Sequence, residues 1–358
     1  MAFTATKREW SELCAFFQLL GRGKVFAGNA AGQPVAEMPI AYVQREEHDG
    51  TRKYHIADNE IHVVGESIDR RFLREDFETV ASLILEALKS SETEVESPEG
   101  VEQFLDELSI FNLEAKTEDR TDLYIAFYSA QVPPVGFRIY SRIGGMNPLL
   151  DGGRAANIKF EQKGVRFPSP AIHKINALES DNTVLDRMLM IERLGGEFKF
   201  DDAADKIFRS NLHMIDLHFP RMVGEMLRTM YYDNIMKVSE LVDSIKVKNP
   251  LKIKDELIRK HGYYEHKMKD FLLAIASGMR PAKLYDGEET AVGGMLILNA
   301  DGQLLCYSKL DRQTFADFLY QNTRLEKGNL QKDHYGVLER ENNLFYFKLN
   351  LKVGLLKR

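Results

Sequence analysis

The 358-residue sequence has only two cysteines and lacks any long apolar run. Cys14 and Cys306 stand alone in apolar-patterned segments, which excludes a disulfide framework or a cysteine zinc site and predicts two reduced core thiols. No stretch approaches the ~18 apolar residues of a membrane span. The first nine residues also lack the apolar core of a signal peptide. We therefore expect a soluble, cytoplasmic protein with no membrane partner.

The sequence also lacks the positive net charge that is typical of nucleic-acid-binding domains. Its formal net charge is −6 and its pI is about 5.9, which argues mildly against a nucleic-acid-binding function. A site that holds cations, however, needs clustered carboxylates, and a basic groove can coexist with an acidic outer surface. The charge therefore does not exclude a nuclease.

Helix-like and strand-like patterns alternate along the chain. Apolar residues at three- and four-residue steps predict a first helix at Arg8–Leu20, in which Glu9 and Glu12 lie one turn apart. Short β-rich runs bounded by turn residues follow it and predict a small meander. The longest helices are expected in the middle, at Arg221–Asp243 and Lys252–Ala276. The mixture indicates an α+β or α/β fold.

The final eighty residues return to strands and one helix. This change of character predicts two parts. Residues 1–276 would form a core with a helical middle region, and residues 277–358 a separable C-terminal α+β portion suited to DNA recognition. With 44% hydrophobic residues, the chain can form one large core or two modest ones.

Two neighbouring strand-like segments carry residue types that a metal-dependent nuclease needs. Asp122 opens the first, and the second, Val135–Ile143, places Arg138, Tyr140 and Arg142 on one face by the period of two. Magnesium is usually held by one or two carboxylates together with water and substrate phosphate. Arginines on the neighbouring strand suit phosphate charge. Spacing alone is a weak signal, because an aspartate at a strand start is more often a turn residue.

Seven motifs occur in the order and spacing of a known enzyme family. They are KREWSEL, TDLYI, GFRIYSRIGG, LLDGGRAANIKFE, GMRPAKLYDG, GGMLILNADGQLLCY and FKLNL. Together they span roughly residues 7–353. In this arrangement the chain resembles the HpaII-type restriction endonucleases. The resemblance implies an α+β protein with an α/β-like PD-(D/E)xK nuclease core, in which a mixed sheet flanked by helices presents acids and a lysine to Mg²⁺ and the scissile phosphate.

The resemblance also implies a set of catalytic residues. It assigns metal binding to Asp122 and to an acid of the first helix, either Glu9 or Glu12, and it matches the second catalytic strand to Arg138–Ser141. The family has a lysine where this chain has Tyr140. A tyrosine cannot supply a positive charge, so we expect that role to be vacant or taken by another residue.

Four residues are candidates for the missing positive charge. Arg138 and Arg142 share the strand face with Tyr140 and can offset phosphate charge, but they cannot act as a base because arginine stays protonated. Lys159 and Lys163 are candidates if their strand lies next to this one. Activation of the attacking water by the metal alone is the remaining possibility.

Basic and polar residues at two other places are candidate DNA contacts. One place follows the glycine-rich turn at 144–153, and the other is a loop before the last strand. Arginine and lysine are the residues that most readily read guanine in the major groove. The predicted DNA-binding residues are Arg154, Asn157, Lys159, Arg324, Lys327, Lys332 and His334.

The sequence as a whole predicts a Mg²⁺-dependent type II restriction endonuclease that hydrolyses phosphodiesters in double-stranded DNA. The resemblance implies a CCGG-type four-base palindrome as target. A palindrome favours a homodimer, although a monomer that makes sequential nicks is left open. A cognate DNA methyltransferase would be the functional partner. Two other hypotheses stay open: a DNA-binding protein of the same fold that has weakened or lost cleavage, and an interaction protein with a fortuitous resemblance.

Overall fold

The computed structural model describes residues 3–115, 121–128, 132–144, 148–287 and 291–356, and it is a mixed α+β structure as expected. The helices are α1 Lys7–Arg22, α2 Arg74–Ser90, α3 Val101–Glu107, α4 Ser169–Asn176, α5 Thr183–Arg193, α6 Lys206–Ile215, α7 Phe219–Asp233, α8 Val238–Lys248, α9 Asp255–His261, α10 Tyr263–Ala276, α11 Arg312–Asn322 and α12 Leu330–Asp333. The strands are β1 Thr4–Thr6, β2 Lys24–Gly28, β3 Pro34–Glu47, β4 Gly50–Ile56, β5 Glu60–Val64, β6 Asp69–Leu73, β7 Glu94–Glu96, β8 Leu123–Phe127, β9 Val135–Ser141, β10 Leu150–Asp151, β11 Asn157–Lys163, β12 Glu197–Ala203, β13 Val292–Leu298, β14 Leu304–Ser308, β15 Thr323–Glu326, β16 Leu338–Glu341, β17 Leu344–Asn350 and β18 Lys352–Leu355. None of the helices in the described ranges is long and apolar enough to cross a membrane.

The largest sheet has nine strands in the order β2-β14-β13-β9-β8-β3-β4-β5-β6. It is mixed, because β9 pairs with β13 and β14 pairs with β2 in parallel, whereas the other neighbours are antiparallel. Strand β3 is long enough to bend: its first half pairs with β2 and its second half with β8 and β4. The strands β2, β14, β13, β9, β8 and β3 therefore close into a ring.

Helix α1 lies against the inner face of this ring. A capping box between Thr6 and Glu9 begins it, and Gly23, in the left-handed conformation, ends it. Every residue of the stretch 10–21 is buried, as expected for a helix that is enclosed on all sides. Helix α2 covers its remaining side so closely that a Cβ at Gly21 would lie 2.7 Å from the Glu78 nitrogen. The polar side chains of α1 must therefore find partners within the protein.

Strands β9, β13 and β14 separate two hydrophobic cores. Phe137, Leu296 and Cys306 point into the core around α1, whereas Tyr140 and Ile297 point into a second core built mainly from helices α7, α8, α10 and α11. The alternation predicted for the second catalytic strand is therefore observed. Both cysteines are buried and free.

Two long helices predicted from the sequence are broken in the structure. The segment Arg221–Asp243 is divided between α7 and α8 because Asn234 adopts a left-handed conformation, with φ of 54°. The segment Lys252–Ala276 is divided between α9 and α10 at Gly262, with φ of 58°. Apolar periodicity continues across such short interruptions, one residue at Gly262 and four residues after Asp233, so the sequence pattern did not reveal the breaks.

The proposed division at residue 276 stays a prediction. Strands β13 and β14, which follow that position, pair with β9 and β2, which precede it. Both hydrophobic cores also contain residues from each side of the division.

Two buried arginines attach the chain around residues 108–113 to the sheet. Arg45 on β3 contacts Glu47 at 2.7 Å and donates to the carbonyl oxygens of Asn112 and Leu113 at 3.1 and 2.7 Å. Arg52 on β4 donates to the Leu108 carbonyl oxygen at 2.7 Å. The side chains of Arg45 and Glu47 are each 1% exposed, so removal of either charge leaves the other buried and uncompensated.

We predict that Arg45→Met lowers the free energy of unfolding by about 3–5 kcal/mol, because Glu47 loses its buried partner. The matched control is Arg71→Met, which breaks a 3.0 Å pair with Glu60 between side chains that are 63% and 46% exposed. The control substitution should lower the free energy of unfolding by only about 0–1 kcal/mol. Urea denaturation followed by circular dichroism measures both values, and equal losses in the two variants would contradict the prediction.

Candidate active site

Glu12 and Asp122 form a pair of neighbouring carboxyl groups between α1 and the start of β8. Glu12 is 5% exposed and accepts a hydrogen bond from the Ala115 backbone N–H at 2.7 Å. Asp122 is partly exposed and accepts one from the Ile139 backbone N–H at 2.6 Å. Its own N–H donates to the Phe137 carbonyl oxygen at 2.8 Å, which fixes Asp122 against β9.

The surroundings raise the pKa of both carboxyl groups. Burial and, after it, the negative charge of Asp122 raise the pKa of Glu12 to about 8, against the opposing charge of Arg45. Burial likewise raises the pKa of Asp122 to about 6, against the Ile139 N–H and the positive charges of Arg138 and Arg8. Two adjacent carboxyl groups that resist ionisation form a site that a divalent cation would stabilise in the ionised form.

This donor set fits Mg²⁺. Within the described ranges, no group of three or more His, Cys, Asp or Glu side chains converges on one point. Mg²⁺ does not require such a cluster, since it commonly keeps several waters and binds one or two carboxylates plus substrate phosphate. Glu12 and Asp122 supply those two carboxylates.

Glu9, the other acid considered in the first helix, has a different role in the structure. Its carboxylate accepts hydrogen bonds from the Thr6 backbone N–H at 2.8 Å and from the Thr6 hydroxyl at 2.6 Å. These two bonds lower the pKa of Glu9. The structure thus uses Glu9 to cap α1 and places Glu12, three residues later, beside Asp122.

The three residues that were predicted to share one face of the second strand, Arg138, Tyr140 and Arg142, have different surroundings. Arg138 lies over the ring of Tyr140, with its guanidinium carbon 5.5 Å from the ring centre, and its charge acts on Asp122. Tyr140 is buried, and this burial raises its pKa, so the phenol is neutral. Arg142 donates to the Asn299 side chain at 3.0 Å in the β13–β14 turn. Of the two arginines, Arg138 is the one brought to the carboxyl pair.

Two charged residues next to the carboxyl pair were not identified from the sequence. Arg8 lies one turn before Glu12 on α1, forms a 3.0 Å ion pair with Glu114, and acts electrostatically on Asp122. Glu114 in turn raises the pKa values of Glu12 and Asp122. The four-residue spacing of Arg8 and Glu12, which puts both on one helix face, was the available signal.

The two lysines considered as replacements lie in another sheet. Strand β11 belongs to a four-stranded sheet in the order β12-β11-β17-β16, whereas the neighbours of β9 are β8 and β13. Lys159 is ion-paired with Asp201 and Glu341, and Lys163 with Glu161. The condition that their strand is adjacent to β9 is therefore not met.

Several predicted DNA contacts meet at the loop of residues 327–336. Lys332 and His334 are exposed there, and Arg154 contacts the His334 ring. Asn157 is 2% exposed and donates to the carbonyl oxygens of Asp333 and His334 at 2.9 and 3.2 Å, so it supports this loop from beneath.

The remaining candidates near this loop are engaged by other side chains. Lys327 is exposed but contacts the Asn182 side chain at 3.4 Å. Arg324 pairs with Glu326 at 2.8 Å. Lys159 is occupied by the acids described above, so a phosphate would have to compete with them.

The raised pKa values predict how the stability of the cation-free protein depends on pH. A carboxyl group with a raised folded-state pKa binds more protons in the folded than in the unfolded state, so stability falls as pH rises between the two values. For Glu12 this window runs from ~4.3, the ordinary value, to about 8. The variant Glu12→Gln should therefore gain melting temperature relative to wild type as pH rises from ~5 to ~8.

Thermal melts in chelator at several pH values measure this difference. Glu9→Gln is the matched control, because it removes a carboxylate from the same helix whose pKa is lowered instead. Its melting temperature should fall relative to wild type at high pH, which is the opposite trend. Parallel pH profiles for the two variants would contradict the prediction.

Comparison with known proteins places the chain in a family. The sequence profile of the HpaII restriction endonuclease family matches residues 6–355. The type II restriction enzyme HpaII of Haemophilus parainfluenzae is 29% identical over 361 residues, covering 99% of each chain. No solved structure gives a significant match. The chain belongs to the HpaII restriction endonuclease family and is a type II site-specific deoxyribonuclease.

Proposed function

We propose that this chain is a Mg²⁺-dependent endonuclease that cuts double-stranded DNA at a CCGG-type four-base palindrome. The observation that carries the Mg²⁺ assignment is the pair Glu12 and Asp122, two carboxyl groups of raised pKa next to the positive charge of Arg138. The proposal of a PD-(D/E)xK core is supported by the acid at the start of β8, the adjacent strand β9 and the acid from α1. The four-base target rests on the resemblance to the HpaII enzyme.

Each residue of the proposed site has a separate role in the hydrolysis. Mg²⁺, when bound, would supply a Lewis acid that lowers the pKa of water and offsets charge on the phosphate. Glu12 and Asp122 hold the ion, and Arg138 donates to the phosphoryl oxygens as water attacks phosphorus in line. The attacking water gives up a proton to solvent, the phosphorus–oxygen bond to one sugar breaks, and the departing oxygen takes a proton from solvent. Tyr140, which is buried and neutral, supplies neither a charge nor a base.

The loop of residues 327–336 would contact the bases or backbone of the target. Arg154, Lys332 and His334 are grouped at its surface, and Asn157 holds two of its carbonyl groups. Arginine and lysine are suited to guanine edges and to phosphates. A palindromic target matches a homodimer on DNA, and a cognate DNA methyltransferase would protect the same site in the cell.

A DNA-binding protein that has weakened or lost cleavage is the second candidate function. Tyr140 favours it, because the family's lysine is absent from a position that is now enclosed in a hydrophobic core. This candidate predicts affinity for DNA that falls steeply with salt, as phosphate contacts require, but no Mg²⁺-dependent strand breakage.

A plasmid cleavage assay with Mg²⁺ or with chelator distinguishes the two functions. We predict that wild type cuts only with Mg²⁺ and that Asp122→Asn and Glu12→Gln each reduce the rate more than about 100-fold, because each removes a carboxylate ligand. Glu9→Gln is the matched control and should cut within about threefold of wild type. Wild type that binds DNA without cutting it would support the second candidate, and normal cutting by Asp122→Asn would refute the assigned site.

The target is tested separately with two otherwise identical linear DNAs. One carries a single CCGG site and the other carries that site with one base pair exchanged. A mismatched base pair usually costs ~1–3 kcal/mol in binding, so we expect cleavage of the first DNA and about 5- to 150-fold slower cleavage of the second. Sequencing of the ends gives the cut position, and cuts that map to a different shared sequence would refute the CCGG assignment alone.

A further inference from the structure

The site lacks a cation at the position where the resemblance implies a lysine. Tyr140 occupies that position and is buried in the second core. Arg142 points to the β13–β14 turn, where it donates to Asn299. Arg138 lies over the Tyr140 ring. Tyr140 supplies no positive charge and Arg142 is engaged at the turn, so Arg138 is the one strand residue of the three whose charge acts on the carboxyl pair.

Arg8 has the position and exposure that such a charge requires. It lies on the first turn of α1, four residues before Glu12, so the two side chains project from the same side of the helix. Its side chain is 53% exposed, which leaves the guanidinium accessible to a large ligand. Helix α1 is buried from Trp10 to Gly21, so the helix holds Arg8 in a fixed relation to Glu12.

A second contact ties Arg8 to the site. Its Nε lies 3.0 Å from Glu114 Oε1, and the next residue, Ala115, donates its N–H to Glu12 at 2.7 Å. Arg8 and Glu12 therefore hold neighbouring residues of one segment. The charge of Arg8 also lowers the pKa values of Asp122 and Tyr140, which places it within electrostatic range of both.

We propose that Arg8 binds the scissile phosphate and supplies from helix α1 the positive charge that a lysine supplies from the second strand in related enzymes. This inference rests on the proposed nuclease function. Without DNA, Glu114 holds the guanidinium. When DNA enters, the phosphate offers the fork of Arg8 two oxygens and competes with the Glu114 carboxylate. Arginine stays protonated, so Arg8 acts through its charge and hydrogen bonds and not as a base.

The position of Arg8 on α1 explains how the proposed site can work with Tyr140 on β9. A charge aimed at the oxygens of the reacting phosphate stabilises the transition state more than the ground state, and loss of one such donor typically slows a reaction ~10²–10³-fold. The origin of that charge matters less than its distance from the phosphate. A helix that is fixed on all sides is a suitable support for it.

The test compares Arg8→Ala, Arg8→Lys and Glu114→Gln by single-turnover cleavage with Mg²⁺. We expect Arg8→Ala to slow cleavage ~10²–10³-fold and Arg8→Lys to recover most of the rate at pH 8. Arg8→Lys should lose this recovery above pH ~10, where lysine deprotonates. Glu114→Gln, which breaks the same ion pair but keeps the arginine, should cut at least as fast as wild type.

Two further measurements separate a catalytic from a structural role. Tb³⁺ luminescence without DNA reports the affinity of the carboxyl pair for a cation, which Arg8→Ala should change less than about threefold. Thermal melts should show little change, because the Arg8–Glu114 pair is partly exposed. Glu114→Gln as slow as Arg8→Ala, or a large loss of Tb³⁺ affinity in Arg8→Ala, would overturn the proposal.

The same experiment distinguishes this inference from the proposed function. If wild type cuts and Arg8→Ala cuts within threefold of it, the role of Arg8 is refuted and the nuclease assignment stands. If wild type itself does not cut DNA with Mg²⁺, the proposed function fails, and with it the catalytic role of Arg8.

Discussion

The burial of helix α1 is the constraint on which the site depends. The ring of strands and helix α2 leave the residues from Trp10 to Gly21 almost no access to solvent, so Glu12 must place its carboxyl group largely inside the protein. There it meets Asp122 and the Ala115 N–H, and Arg45 holds the carbonyl groups of the segment that carries this N–H. The electrostatic cost of enclosing Glu12 is thus what a bound cation would offset in the proposed site.

Strand β9 connects this site to the rest of the molecule. Phe137 anchors it in the core around α1, and Tyr140 anchors it in the core of the helical region. Arg138, between these two anchors, has little freedom to move away from Asp122. A single strand that is packed from both faces therefore sets the distance between the acid and the positive charge, which suits a reaction that needs fixed geometry.

The sequence was sufficient for the local features of the site and insufficient for its assembly. Alternation along β9 predicted which side of the strand carries Arg138, because side chains alternate along any strand, whichever strands lie beside it. The sequence could not decide between Glu9 and Glu12, because both fit the predicted helix. Only the strands and the helix that pack over α1 determine which of the two carboxyl groups is buried. Asn157 shows the same limit: its polarity suggested an exposed DNA contact, whereas the structure places it beneath a loop 176 residues away in sequence.

The closure of the ring has a consequence for protein synthesis. Synthesis of strand β9 is complete at Ser141. Its parallel partner β13 and the next strand, β14, connect it to β2 in the sheet, and these two strands are complete only at Ser308. Until that point has left the ribosome, the chain carries both acids and Arg138 without the strands that fix β9. A partly made chain is therefore an incomplete nuclease, because the order of the strands along the chain delays closure of the ring until most of the chain has been made.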